Sequence, residues 1–134
     1  MRNVLILITS AISLWFVPSN ALGDLGADSF REGARLQEAK QWAASLEQFR
    51  AAADVYSSVA DYALFRMAQS ALNLDDKDLA ASALEKLVKE YPTSPIRHKA
   101  QAELGSLYFE LGLNAQAVPL LQDAVPGAKW PDEA

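Results

Sequence analysis

The sequence contains no cysteine and a single histidine, His98, in 134 residues. Without cysteine there is no thiolate nucleophile, no cysteine–zinc site, no disulfide and no lipidated N-terminus. His98 stands between Arg97 and Lys99 with no partner at metal-ligand spacing, so it reads as a solvated helix start and not as a ligand or general base. No stretch alternates apolar and polar residues with period two, so no strand is expected. Basic runs are also missing. The formal charge is −5 with both signs interspersed, which argues against nucleic acid, whose phosphates need a basic patch.

Carboxylates are plentiful but not arranged for chemistry. Glu85 with Glu90, or Glu103 with Glu110, can be drawn as a glycosidase pair, yet both pairs fall on ordinary exposed helix faces. Asp75, Asp76 and Asp78 lack the central glycine and terminal glutamate of a calcium loop and read as helix caps. No catalytic residue, cofactor site or metal site is expected.

The first 21 residues differ from the rest. Arg2 precedes an apolar run from Val4 to Val17, broken only by Thr9, Ser10 and Ser13, and Pro18-Ser19-Asn20-Ala21 follows. Small residues at the −3 and −1 positions of a cut after Ala21 mark a secretory signal peptide over 1–21, with a weaker second cut after Ala27. The run is shorter than the ~20 residues that span a bilayer, so no stable membrane anchor is expected after cleavage. Residues 22–27 read as a Gly-containing linker.

From Asp28 onward the apolar positions follow helical spacing. Ser29 and Glu32 form a capping box for the first mature helix, with Phe30, Gly33, Ala34 and Leu36 inward. A second helix runs from about Trp42 to Tyr56, with Trp42 packed on the first. Ser58 and Asp61 read as the next start signal. Leu64, Met67, Ala68, Ala71 and Leu72 then share one face, and Leu79, Ala83, Leu84, Leu87 and Val88 another, with Asp75 or Asp76 capping between them. Tyr91-Pro92 stops that helix. Ser94-Pro95 opens a fifth, Gly112 ends it, and Asn114 caps a sixth that contains Pro119. Trp130 is a docking residue or part of a loose tail over 127–134.

The six helices form three copies of one hairpin, over about 28–57, 58–93 and 94–126. Aligning Gly33, Ala68 and Gly105 puts an apolar residue three further on (Leu36, Ala71, Tyr108) and a small one twelve on (Ser45, Ala80, Ala117). Sixteen on comes a large apolar residue (Phe49, Leu84, Leu121), and nineteen on another apolar one (Ala52, Leu87, Ala124). Small residues let paired helices approach, and large ones fill the space between hairpins. This pattern resembles the tetratricopeptide repeat, whose period is ~34. The resemblance implies an all-α fold of three antiparallel hairpins stacked as a short right-handed solenoid, and a scaffold that binds protein.

More narrowly, Ala60-Asp61-Tyr62-Ala63-Leu64-Phe65-Arg66 and Glu90-Tyr91-Pro92-Thr93-Ser94-Pro95 resemble the N-terminal superhelical region of soluble lytic murein transglycosylases. The catalytic glutamate of that family lies in a separate lysozyme-like domain, usually followed by serine, and no Glu-Ser pair occurs here. The Tyr-Pro-x-Ser-Pro junction is also similar to that of the Tol–Pal-associated periplasmic coordinator and of BamD, whose lipidated cysteine this sequence lacks. These resemblances imply a periplasmic location and a role in envelope assembly or maintenance, or else the helical front end of a peptidoglycan-cleaving enzyme.

In that repeat family the first helix of each hairpin lines a concave groove. Carried over, the lining positions are Phe30, Arg31, Gln37 and Glu38; Tyr62, Phe65, Arg66, Gln69 and Asn73; and Glu103, Ser106, Phe109 and Glu110. Such a surface suits an extended peptide or a carboxylate terminus in the envelope, with peptidoglycan as a further ligand class. The alternative is that Tyr62 and Phe65 are partly core and Arg66 pairs with an acid. The last hairpin ends on Leu113, Val118, Leu120, Leu121 and Val125 without a polar cap, so self-association there, or continuation into further repeats, is expected.

Overall fold

The computed structural model describes residues 19–125. They form α1 (Ser19–Glu38), α2 (Trp42–Val55), a 3-10 turn over Ser57–Val59, α3 (Ala60–Asn73), α4 (Lys77–Glu90), α5 (Arg97–Glu110) and α6 (Asn114–Ala124). No strand occurs among the described residues. Each helix packs chiefly on its neighbours in sequence, so the molecule is a helical solenoid.

The repeat register is visible in the packing. Ser45, Ala80 and Ala117 are all fully buried, as are Phe49 and Leu84 sixteen residues beyond their alignment points. A Cβ on Gly33 would lie 2.9 Å from the Phe49 ring, and one on Gly105 would lie 2.7 Å from Leu121 Cγ. The same pair of positions therefore closes the first and third hairpins, a small residue on one helix admitting a large one from the next.

The turns repeat as well. Lys40, Asp75 and Gly112 all adopt left-handed backbone, with φ of 57°, 60° and 76°. Each stands seven residues after its alignment point. Around each, the amide of the following residue donates to a carbonyl five back: Gln41 to Leu36, Asp76 to Ala71 and Leu113 to Tyr108, at 2.8–2.9 Å. The turn amide itself donates to the carbonyl of Gln37, Leu72 or Phe109, completing the Schellman motif that satisfies the last carbonyls. Only the third turn uses glycine, although left-handed backbone costs a side-chain-bearing residue more.

Several starts differ from expectation. Residues 22–27 are helical and not a linker, because α1 already begins at Ser19. The glycines there are contact points: a Cβ on Gly26 would meet Tyr56 Cβ at 2.2 Å and Val55 Cγ2 at 3.1 Å. Ser29 consequently lies inside α1 and caps nothing, while Glu32 binds Arg35 through Nε at 2.8 Å and Nη2 at 2.6 Å. Asp61 does not cap α3 either; its carboxylate accepts from Ser94 Oγ, thirty-three residues on, tying the second hairpin to the third. Asn114 is the first residue of α6 and makes no cap. Asp76 does cap α4, accepting from the Leu79 amide at 3.0 Å. Helix α5 begins at Arg97 and not at Pro95; Ser94, three residues ahead of it, accepts from the Ile96 amide through Oγ at 3.3 Å. The helix α6 runs through Pro119.

The expected leader falls almost wholly outside the described residues, as does the 127–134 tail with Trp130. No helix among the described residues is long and apolar enough to cross a membrane.

Candidate functional site

The first helices of the three hairpins, α1, α3 and α5, together form a groove of about 690 Å³. Helix α1 contributes Gln37 and Glu38, α3 contributes Arg66, Gln69, Leu72 and Asn73, and α5 contributes Ala102, Glu103, Ser106, Leu107 and Glu110. Trp42, at the start of α2, completes one wall. Of the residues expected to line it, Gln37, Arg66, Gln69, Asn73, Glu103 and Ser106 come together there, with Glu38 and Glu110 beside them.

The remaining expected residues lie elsewhere. Phe65 is buried at 6 % exposure, with Lys99 Nζ 4.9 Å above its ring. Phe30 stands edge-on to Phe49, centroids 5.5 Å apart, and so helps fill the first hairpin. Arg31 points to solvent and pairs with Asp28 at 2.6 Å. Tyr62 is exposed without joining the groove wall. Phe109 sits at the register of Gln37 and Leu72, one hairpin further along, where no helix among the described residues forms an opposite wall; it is 66 % exposed. Trp42, Leu72, Ala102 and Leu107 are lining residues that the helix-by-helix reading missed. Leu72 reads as core from its spacing, and Trp42 belongs to a second helix that reaches the concave face only at its first turn.

A polar relay holds the groove's centre. Arg66 Nη1 donates to Gln37 Oε1 at 2.9 Å. Gln37 Nε2 donates in turn to the Arg66 carbonyl at 3.2 Å and to Ser70 Oγ at 3.1 Å. Ser70 Oγ shares a 2.8 Å bond with Ser45 Oγ, and both serines are fully buried. The relay spans α1, α2 and α3 and fixes the Arg66 side chain with an amide, not with an acid. No carboxylate among the described residues forms an ion pair with Arg66.

Three carboxylates share the groove with that one guanidinium. Glu110 is held by Lys77 at 3.2 Å. Half-burial pushes the Glu103 carboxyl above the usual carboxylate range, with Lys99 opposing the shift. Glu38 is exposed. Asn73 gives its amide hydrogen to the Gln69 carbonyl at 2.9 Å, leaving its side-chain oxygen to accept from a ligand.

Of the other residues weighed for chemistry, Glu85 is engaged with a neighbouring helix and His98 is not. Glu85 accepts from Tyr108 OH, which is pushed up to about 12 by burial first and by that carboxylate second. His98 is exposed in the first turn of α5. No group of three or more potential metal ligands gathers among the described residues.

Small residues at the helix crossings, left-handed turns at one register and a groove lined by first helices define a recurring unit. Residues 62–94 match the family model of the tetratricopeptide repeat. The matched stretch is the second hairpin with its closing proline turn, and the shared register extends its plan to the hairpins on either side. No curated protein matches the chain. The narrower resemblances to transglycosylases, the Tol–Pal coordinator and BamD find no support in these matches. Tetratricopeptide repeats are protein-interaction scaffolds, and the concave groove is where such a scaffold presents side chains from several hairpins at once.

Proposed function

We propose that the chain is a non-catalytic scaffold whose groove holds an extended segment of a partner protein, one that carries apolar side chains and at least one lysine or arginine. The observation behind this is the groove's composition. Trp42, Leu72, Ala102 and Leu107 provide apolar contact for aliphatic side chains. Glu38 and Glu103 stand beside them, and no cation among the described residues is bonded to either, so a basic side chain of the partner is the complementary charge. Gln69, Asn73 and Ser106 supply hydrogen bonds for an extended backbone. The apolar lining favours a peptide over a glycan, whose hydroxyls would each need a polar partner.

We further place this activity outside the cytoplasm, in the periplasm, in envelope assembly or maintenance. That reading rests on Arg2, the Val4–Val17 run and the Ser19/Ala21 cleavage signature. No observation on the described residues favours a transglycosylase's helical front end over a free-standing scaffold.

The test uses fluorescence anisotropy with labelled extended peptides that alternate leucine with lysine, compared with leucine–glutamate counterparts. The lysine series is expected to bind in a salt-sensitive way and the glutamate series to bind at least ~10-fold more weakly. Ser106→Trp fills the groove from an exposed position, so it should abolish binding without moving the melting temperature. Unchanged affinity in that variant would rule the groove out.

A further inference from the structure

Among the described residues, the last hairpin exposes a surface that the other two keep covered. Leu46 on α2 and Ala81 on α4 occupy the same register, thirty-five residues apart, and are 4 % and 6 % exposed because the next hairpin stacks on them. Val118 on α6 is the third member of that set and is 46 % exposed. Val125, in register with half-buried Ala53 and Val88, is 50 % exposed. Leu111 and Leu113, in the turn before α6, are exposed as well. The helix α6 thus presents the stacking face that α2 offers α3 and α4 offers α5. Its only charged residue is Asp123.

What covers this face follows from the opposite end of the stack. A second copy adding head to tail would lay its α1 on α6. At the positions where α3 carries Ala63, Leu64, Met67 and Ser70, and α5 carries Ala100, Gln101, Leu104 and Leu107, α1 carries Asp28, Ser29, Glu32 and Arg35. The charged members are already committed to ion pairs within α1, Asp28 with Arg31 and Glu32 with Arg35. Burying them against Val118 and Val125 would strip water from charges and give nothing in return. A nearly uncharged apolar face is instead complementary to itself, which is the condition for a two-fold contact.

We propose that two copies of the chain associate through α6 packed on α6 across a two-fold axis. Val118 lies near the middle of the eleven-residue helix, so in an antiparallel crossing it meets its own counterpart. The charges of Asp28, Glu32 and Arg35 on α1 disfavour propagation into a filament, although Leu25 on the same helix is exposed. The two grooves, formed by α1, α3 and α5, remain open.

The natural chain has no cysteine, so single-cysteine variants report unambiguously. Sedimentation of the full chain from low to high micromolar concentration should show a monomer–dimer equilibrium. Val118→Glu should raise the dimer dissociation constant by about 100-fold or more, and Val125→Glu should act in the same direction. Under mild oxidation Val118→Cys should form a disulfide-linked homodimer, while Glu32→Cys should stay monomeric. A strictly monomeric chain across that range would overturn the proposal. So would a mixed disulfide between the Val118→Cys and Glu32→Cys variants formed in preference to the Val118→Cys homodimer, which would indicate head-to-tail stacking.

Discussion

The first and third hairpins share a plan but not a degree of burial. In the first, Phe49 fits over Gly33, is braced edge-on by Phe30 and is fully buried. In the third, Leu121 fits over Gly105 in the same register yet is only partly buried, and Val118 beside it is 46 % exposed. The difference is position in the stack. A hairpin supplies half of the burial of its second helix; the next hairpin supplies the other half. Apolar residues at the same register are therefore core in one copy and partly exposed in another.

The largest test of this comparison is truncation at the matched position. Phe49→Ala should cost about 3–5 kcal/mol in denaturant unfolding, and Leu121→Ala under ~2 kcal/mol. Equal losses would mean that α6 is as enclosed as α2.

Next come the glycines beneath those side chains. Gly33→Ala drives a methyl into the enclosed Phe49 ring; repacking costs roughly 1–3 kcal/mol, offset by up to ~1 kcal/mol of helix propensity. Gly105→Ala meets Leu121 at a similar distance, but Leu121 borders solvent and can shift outward, so the net change should be under ~1 kcal/mol. Thermal unfolding of the pair distinguishes the cases.

The turns offer a smaller effect of opposite sign. Lys40→Gly should stabilise by ~0.5–1 kcal/mol by relieving left-handed backbone, whereas Gly112→Ala should destabilise by ~1 kcal/mol. If both changes moved stability in the same direction, the shared turn geometry would be wrong.

The smallest effect is in pH dependence, where the two ends differ in sign. Bonding to Arg35 holds the Glu32 carboxyl below its ordinary value of 4.5, so its contribution is present above the unfolded value and lost as pH falls through the folded one. Half-burial raises Glu103, so folding is relatively favoured below its unfolded value and that advantage fades as pH rises through the folded one. Glu32→Gln should therefore lower stability slightly at neutral pH and Glu103→Gln should raise it, with both differences vanishing in acid. Denaturation at neutral and acidic pH measures both.

Much of the fold was legible because it is written in local spacing. The offsets linking Gly33, Ser45 and Phe49 to their later counterparts are steric requirements, and the residues that meet them can be read off one strand of text. The start of α1 was not legible, because Gly23 and Gly26 look the same as linker glycines and as contact glycines until Tyr56 and Val55 are seen against them. The groove was legible in its polar members, since helical register alone puts Arg66, Gln69 and Asn73 on one side. Its aromatics were less legible: Phe30 was expected to line it and Phe65 stood open between groove and core, and Phe49 and Lys99, from other helices, decide that both are covered. The Arg66–Gln37–Ser70–Ser45 relay joins residues up to thirty-three positions apart, and no local signal announces such a partnership.

The measurement closest to the central claim is amide chemical-shift mapping of the ¹⁵N-labelled chain titrated with a leucine–lysine peptide. The groove account predicts perturbations concentrated at Gln37, Arg66, Asn73 and Ser106, reduced in Glu103→Gln. Perturbations centred instead on Arg50, Asp54 and Lys86, which line a separate small cavity of about 210 Å³ among α2, α3 and α4, would contradict it.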